Sequence, residues 1–213
     1  VDPLKEKEKL SSCSFKVFAE AYLSRYAKIH KKSWQEDERR IIKKLLPKWG
    51  NRMISSLTRT EVATFHAHVG QAAPYEANRL LRLLSKMFEL ALQWGYLEEK
   101  AMNPAKNIRL FKEEKRDRWL KPEEMPKLAE SIEQEPNKVA RDAIWLYLLT
   151  GVRKSELLSA KWEHIDWNRR ELKLPETKSG RIHYVPLSAA TCELLRKIQP
   201  EQDNPYVLPG HIK

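Results

Sequence analysis

One charged stretch without helical periodicity divides this 213-residue chain into two halves. In the half before it, apolar side chains recur every three or four positions, which is the pattern of amphipathic helices. From residue 103 to residue 117 that periodicity lapses, and the run KEEKRDR is typical of a connector. Each half is long enough to bury its own core, since about 100 residues form an ordinary small domain. The sequence therefore predicts two domains joined by a linker over residues 103–118.

Four helices are expected in residues 11–102, after a charged connector over residues 1–10. Each helix begins at a residue type that favours a helix start, either a small polar side chain or a proline. These starts are Ser14, Ser33, Thr58 and Pro74. The second and third helices also carry a glutamate three residues on, Glu36 and Glu61, as in a capping box. We therefore expect an all-α bundle.

The fourth helix separates apolar from basic residues. Its buried face is predicted from apolar residues at helical spacing: Leu80, Leu81, Leu84, Met87, Phe88, Ala91 and Leu92. Another face carries Arg79, Arg82 and Lys86, a basic row that suits the phosphate backbone of a nucleic acid. A row of this kind on a single helix is more often a solvated polar face. The rest of the chain has to decide between these two interpretations.

The chain as a whole is strongly basic. Lys and Arg number 40 against 29 Asp and Glu, a formal net charge of +11, so its electrostatic field favours a polyanionic partner such as nucleic acid. Cys13 and Cys192 lie far apart and indicate neither a disulfide framework nor a zinc site, which fits a reducing cytoplasm. No apolar run approaches the roughly 20 residues that cross a membrane. Segment 1–10 is too charged for a signal peptide.

The second half, residues 119–213, combines helices with a hairpin. Helices are expected, in chain order, over residues 123–133, 139–149, 153–161 and 189–198. Gly151 is expected to end the second of these helices, and Ser188 to cap the last. Apolar residues alternate on either side of a turn over residues 177–180: Leu172 and Leu174 before it, and Ile182, Tyr184 and Pro186 after it. The chain is therefore expected to be mainly α with a small antiparallel β-sheet.

Two motifs in this half carry chemistry. In TGVRKSELLSAKWEHIDW an arginine, Arg153, opens a helix, and in TKSGRIHYVPLS a lysine, Lys178, lies on the hairpin turn. Together they resemble the catalytic domain of tyrosine recombinases, particularly prophage integrases, over residues 119–208. The NPA sequence at residues 103–105 is similar to the family's junction between domains. The resemblance implies an α-helical core-binding domain followed by the N-terminal part of a mixed α/β catalytic domain.

The resemblance also implies the roles of single residues. Arg153 corresponds to the family's first catalytic arginine, and a planar guanidinium suits the charge that grows on a phosphate under attack. Lys178 corresponds to the general acid that protonates the departing 5′ oxygen. Glu156, on the same side of the helix as Arg153, is expected to support it. No acidic ligand cluster is evident, so neither a metal nor a cofactor is expected.

DNA contacts are expected on both domains, because in the family the two domains clamp opposite faces of the duplex. The candidates are the row Arg79, Arg82 and Lys86, then Lys43 and Lys44 of the second helix, and Arg181 beside the hairpin turn. A surface salt bridge for Arg153 and an ordinary polar hairpin tip for Arg181 stay open as simpler interpretations.

The family's HxxR helix and nucleophilic tyrosine are expected beyond residue 213. Tyr184 and Tyr206 stand where the family has structural aromatics, and His211 is followed only by Ile212 and Lys213. The chain also begins with a charged segment and no initiator Met, so both ends are interpreted as internal positions of a longer recombinase. By resemblance, that protein would cut and rejoin double-stranded attachment sites through a 3′-phosphotyrosyl link, as a tetramer on two sites. The chain itself is expected to bind DNA without cutting it.

Two other classes of function remain open. A non-catalytic regulator or architectural protein would use the basic helices only to bind DNA. A helical protein-interaction module would carry its charge for solubility. An HxxR motif and a tyrosine further along the gene would reject both.

Overall fold

The computed structural model describes residues 13–115, 117–175, 180–198, 200 and 203–210. The expected connector over residues 1–10 and the hairpin lysine, Lys178, lie outside the described residues. The chain divides into two units, Val1–Arg116 and Asp117–Lys213, called here the helical unit and the mixed unit.

Four long helices form the described part of the helical unit, as the sequence predicts. A π-helical turn interrupts each of the first two, over Leu23–Ala27 and Ile41–Leu45. A short 3₁₀ helix, Ile54–Ser56, precedes the third. The four helices are α1 (residues 15–30), α2 (residues 34–49), α3 (Arg59–Ala72) and α4 (Pro74–Gln93).

Only one of the two predicted capping boxes forms. The Thr58 hydroxyl accepts from the Glu61 N–H at 3.3 Å, and the Glu61 carboxylate accepts from the Thr58 N–H at 3.0 Å. The prediction of a capping box at Ser33 is wrong, because the Ser33 side chain makes no capping hydrogen bond. Its backbone, at φ −105° and ψ 33°, is not in the extended conformation of a capping residue. Glu36 pairs instead with Arg39, at 2.8 Å.

The apolar face of α4 forms much of the core of the helical unit. All of its predicted residues are buried except Leu92, which is partly buried against that core. Aromatic side chains from the other helices fill the rest, among them Phe15, Tyr22 and Trp49, each at most 1% exposed. One carboxylate, Asp37, is also buried, and it accepts a hydrogen bond from the Tyr22 hydroxyl at 2.7 Å and pairs with Lys31. Its burial is therefore compensated.

The stretch expected to be a linker lies against the helical unit as far as residue 114. Asn103 is buried and its side-chain amide donates to the Ser85 carbonyl at 2.8 Å. Ala105 is buried, and Ile108 packs against the helical core. These buried residues are separated by charged ones and show no helical or strand periodicity, so the sequence pattern did not predict that the stretch packs against the helical unit.

The mixed unit combines helices with a three-stranded antiparallel sheet in the order β1-β2-β3, in agreement with the predicted fold class. Gly151 adopts a left-handed conformation, φ 65°, and ends a helix as predicted, and Ser188 caps the last helix. The third helix is shorter than expected. The elements are α5 (Met125–Glu133), α6 (Lys138–Thr150), α7 (Lys154–Leu158), β1 (Ile165–Asp166), β2 (Glu171–Leu174), β3 (His183–Pro186) and α8 (Ala189–Lys197).

The apolar alternation predicted for the second hairpin strand has the opposite phase in the structure. Ile182 and Tyr184 are 55% and 52% exposed, whereas Val185 and Leu187 are buried. Val185 pairs across the sheet with Leu172, which is buried in the core of the mixed unit. Because directly opposed residues lie on the same face, the pairing with β2 sets which side of β3 is buried.

Candidate functional site

Arg153 stands at the start of α7, held by a single buried carboxylate. Its backbone N–H donates to Glu156 Oε2 at 2.9 Å, and its Nη1 donates to Oε1 of the same carboxylate at 2.8 Å. The Glu156 side chain is 7% exposed, whereas that of Arg153 is 64% exposed. The guanidinium is therefore fixed on one side and accessible on the other, where further N–H groups can bind an anion.

The local sequence explains this geometry. Gly151 ends α6 in a left-handed turn, and the Tyr147 hydroxyl of α6 donates to the Lys154 carbonyl at 3.1 Å. The hydrogen bond from the Arg153 N–H, together with the guanidinium and the charge of His183, lowers the pKa of Glu156 against the opposing effect of burial. The carboxylate is therefore ionised at neutral pH and completes an ion pair with Arg153.

The hairpin beside this site is described only in its strands. Leu174, the last residue of β2, pairs with His183, the first of β3. Lys178 lies in the segment between them that is outside the described residues, so its role as general acid stays a prediction. Arg181, on the described side of the turn, is exposed. His183, the first residue of β3, contributes to the lowered pKa of Glu156 and was not predicted as a site residue. Its place three residues after the predicted turn is the signal in the sequence that could have indicated it.

The basic row lies on the surface of α4, but carboxylates pair with part of it. Arg79 and Arg82 are exposed, and Lys86 is half-buried. Arg82 Nη1 lies 3.4 Å from Glu113 Oε1. Lys86 Nζ lies 3.1 Å from Glu89 Oε1 and 5.3 Å from the centre of the Tyr26 ring. The three cations follow one helical face, since residues three and four apart are neighbours on a helix.

The second pair of cations, Lys43 and Lys44, is exposed on the π-helical turn of α2. The sequence analysis did not predict the ion pair that joins this helix to α4. The Arg40 guanidinium donates from Nε to Glu76 Oε1 at 2.8 Å and from Nη2 to Oε2 at 3.1 Å. This two-bond pairing links α2 to the start of the helix that carries the basic row.

Two negative results apply to the part of the chain that the structure describes. No group of three or more His, Cys, Asp or Glu residues is arranged to hold a metal ion there. None of the helices there is both long enough and apolar enough to span a membrane.

Comparison with known sequences identifies relatives of the chain. The model of the phage integrase family matches residues 118–210. The prophage integrase IntZ of Escherichia coli K12 is 26% identical over 208 residues, which cover 94% of this chain and 51% of that protein. The shufflon-specific DNA recombinase of Escherichia coli is 32% identical over 182 residues, covering 78% of this chain and 46% of that protein. The chain thus spans about half the length of these curated relatives.

Solved structures show the same fold at low sequence identity. A lambda integrase tetramer bound to a Holliday junction superposes with a TM-score of 0.77 at 20% identity, covering 99% of this chain and 64% of that one. The Tn1549 transposon integrase in complex with transposon right end DNA gives a TM-score of 0.73 at 16% identity, covering 93% and 72%. The family match, the curated relatives and this fold agree that the chain is a member of the phage integrase family of tyrosine recombinases.

Proposed function

We propose that this chain is the DNA-binding part and the first portion of the catalytic part of a site-specific recombinase that joins DNA through a 3′-phosphotyrosyl intermediate. The observation that carries the proposal is the Arg153 guanidinium, exposed on one side and anchored on the other by the buried Glu156 carboxylate. Family membership and the net charge of +11 support the same function.

Arg153 acts on the phosphate that is cut. When a tyrosine hydroxyl gives its proton to solvent and its oxygen attacks the phosphorus, an oxygen–phosphorus bond forms, the bond to the 5′ oxygen breaks, and charge grows on the non-bridging oxygens. The N–H groups of Arg153 stabilise that charge, and the ion pair with Glu156 holds the guanidinium before DNA arrives. Glu156 is thus a positioning residue. Lys178 donates a proton to the departing 5′ oxygen, and the attacking tyrosine lies beyond residue 213.

Phosphates elsewhere on the duplex bind to the helical unit. Arg79, Arg82 and Lys86 of α4 contact the backbone of double-stranded DNA, and Lys43 and Lys44 of α2 extend this surface. Arg181 adds a contact beside the hairpin turn. Four protomers assemble on two attachment sites, as the lambda integrase tetramer on a Holliday junction suggests.

Salt dependence of DNA binding tests this function. If about five phosphates are neutralised, the slope of log affinity against log salt is about −4 to −5. Arg82→Ala is expected to make the slope shallower by about one unit, and Arg153→Ala likewise, because each removes one phosphate contact. Fluorescence anisotropy with a labelled duplex measures both slopes.

Arg169→Ala is the matched control for Arg82→Ala. Arg169 is also exposed and also pairs with a carboxylate, Glu171, at 3.3 Å. It is not one of the proposed phosphate contacts, so the variant loses the same charge without losing such a contact. Its slope should equal that of the unaltered chain. An affinity that stays flat between low and moderate salt would reject the DNA-binding function.

The alternative, a DNA-binding regulator without recombinase chemistry, predicts no special role for the Arg153 pair. The same protein–DNA complexes distinguish the two when denatured and analysed for covalent adducts. The chain alone is expected to form none, and an adduct would show that the nucleophile lies within residues 1–213. A longer chain that includes the downstream tyrosine should form adducts, and Arg153→Ala in that chain should suppress them.

A further inference from the structure

Residues 108–114, called here the strap, are docked onto α3 and α4. The centre of the docking site is Asn78, which is completely buried. Its Oδ1 accepts from the Phe111 N–H at 2.9 Å, and its Nδ2 donates to the Phe111 carbonyl at 2.9 Å. Nδ2 also donates to Glu113 Oε1 at 2.8 Å. One side chain of α4 therefore satisfies both backbone polar groups of Phe111 and one oxygen of Glu113.

A glycine in the last turn of α3 accommodates the aromatic ring of the strap. A Cβ atom at Gly70 would lie 2.0 Å from Phe111 Cε2, so no larger residue fits beneath the ring as it stands. The ring also faces His66, with centroids 4.7 Å apart, and the Tyr75 hydroxyl donates to the Glu114 carbonyl at 2.6 Å. Glycine has a low helix propensity, so its presence here fits a place where a separate segment of the chain approaches the helix closely.

Docking of the strap brings a carboxylate to the basic row. Glu113 Oε1, which accepts from Asn78, is also the atom that lies 3.4 Å from Arg82 Nη1. The side chains of Arg82 and Glu113 are 57% and 36% exposed, so water screens the pair and a phosphate can displace it. A phosphate that binds Arg82 therefore lies close to the negative charge of this carboxylate, which opposes its binding.

We propose that the strap is an autoinhibitory contact: when docked, it holds Glu113 against Arg82 and weakens DNA binding by the α4 row. The proposal rests on the proposed function, since it requires that Arg82 binds phosphate. A DNA phosphate at Arg82 either displaces Glu113 or binds beside its negative charge, and either course weakens binding. Docking through Asn78 and Gly70 thereby sets how readily the helical unit binds DNA.

Glu113→Gln tests the competition directly. The amide removes the charge but keeps an oxygen that can accept from Asn78, so the strap should stay docked. Duplex affinity at low salt is expected to rise about two- to fivefold, the value of one exposed ion pair. Glu114→Gln is the matched control, because it makes the same change in net charge one residue away and Glu114 contributes its backbone carbonyl to the docking. Its gain should be clearly smaller.

The same substitution in an Arg82→Ala background isolates the pair. Without the arginine, Glu113→Gln is expected to raise duplex affinity by no more than Glu114→Gln does. Two results would reject the competition between Glu113 and phosphate for Arg82. One is an equal increase in duplex affinity in the two single variants, and the other is an undiminished increase from Glu113→Gln when Arg82 is absent. If the unaltered chain shows no salt-sensitive DNA binding, the proposed function and the competition both fail. If binding is present and only the difference between the variants is missing, the competition alone fails.

Docking itself is tested by Gly70→Ala, which should expel the Phe111 ring. Tryptic cleavage after Arg109, an exposed residue of the strap, should become faster, and duplex affinity should rise as in Glu113→Gln. Phe111→Ala removes the ring without adding a side chain to α3 and should have both effects, even if Gly70→Ala disturbs the helix. Circular dichroism checks that helical content is kept. Unchanged cleavage and unchanged affinity in both variants would overturn the proposal.

Discussion

At the scale of single residues, one buried carboxylate in the mixed unit has hydrogen-bond donors for both of its oxygens. Both oxygens of Glu156 accept from Arg153, one from the backbone and one from the guanidinium. The first bond satisfies an N–H group at the start of α7, and the second orients the proposed phosphate ligand. The Glu156 side chain therefore both stabilises the start of α7 and positions the Arg153 guanidinium.

Glu156→Gln is expected to lower the free energy of unfolding of the mixed unit by about 1–2 kcal/mol at pH 7, because an amide oxygen replaces a charged acceptor. The pKa of Glu156 is lowered in the folded state, so its contribution is present above the unfolded value near 4.3 and is lost as pH falls through the lowered value. The stabilities of the two proteins should therefore begin to converge as pH falls below the unfolded value, and become equal only below the lowered one.

Urea unfolding at pH 7 and at low pH measures this difference. Glu193→Gln, an exposed glutamate on α8, is the control and should leave stability unchanged at pH 7. Equal stability of Glu156→Gln and the unaltered chain at pH 7 would contradict the role of the carboxylate.

At the scale of elements, two helices with the same sequence signature begin differently. Thr58 and Glu61 form a complete capping box, whereas Ser33 and Glu36 do not. Hydrogen bonds from Arg52 and from Thr58 lower the pKa of Glu61 to about 2, so this cap stays charged well into the acid range. The difference lies in the backbone conformation of the capping residue and in the partners available to its glutamate.

Thr58→Ala is expected to lower the free energy of unfolding of the helical unit by about 1 kcal/mol, because the Glu61 N–H loses its acceptor. Ser33→Ala should change it by less than about 0.5 kcal/mol, since that hydroxyl makes no capping bond. Thermal or urea unfolding compares the two variants. Equal losses at both positions would mean that Ser33 caps α2 in solution.

At the scale of the whole molecule, the two units have separate hydrophobic cores. Phe15, Trp49 and Leu84 belong to the core of the helical unit. Leu157, Leu174 and Leu195 belong to that of the mixed unit. Because each set of apolar side chains is buried within its own unit, each unit has its own source of stability.

Two core substitutions should therefore shift two different unfolding transitions. Leu84→Ala and Leu174→Ala remove side chains that are 1% and 2% exposed, and each should cost about 3 kcal/mol or more. The first should lower the transition of the helical unit and the second that of the mixed unit. Calorimetry resolves the two transitions, and one joint transition lowered by both variants would reject independent units.

The sequence by itself determined the features that depend on neighbouring residues. Helical periodicity predicted the buried face of α4, and the preference of glycine for a left-handed backbone predicted the end of α6 at Gly151. The spacing of Arg153 and Glu156 along one helix predicted that they meet, and they do. Such relations join residues a few positions apart, so the local backbone conformation alone fixes their geometry.

Only the tertiary structure decided the relations between distant residues. The buried side of β3 depends on pairing with β2, which no alternation within the strand can specify. The strap has no periodic signal, and its docking requires Gly70, Asn78 and Phe111 to meet from three separate parts of the chain. The carboxylate against Arg82 likewise comes from Glu113 on the strap. These contacts form only when helices pack, because packing is what brings residues far apart in sequence within hydrogen-bonding distance.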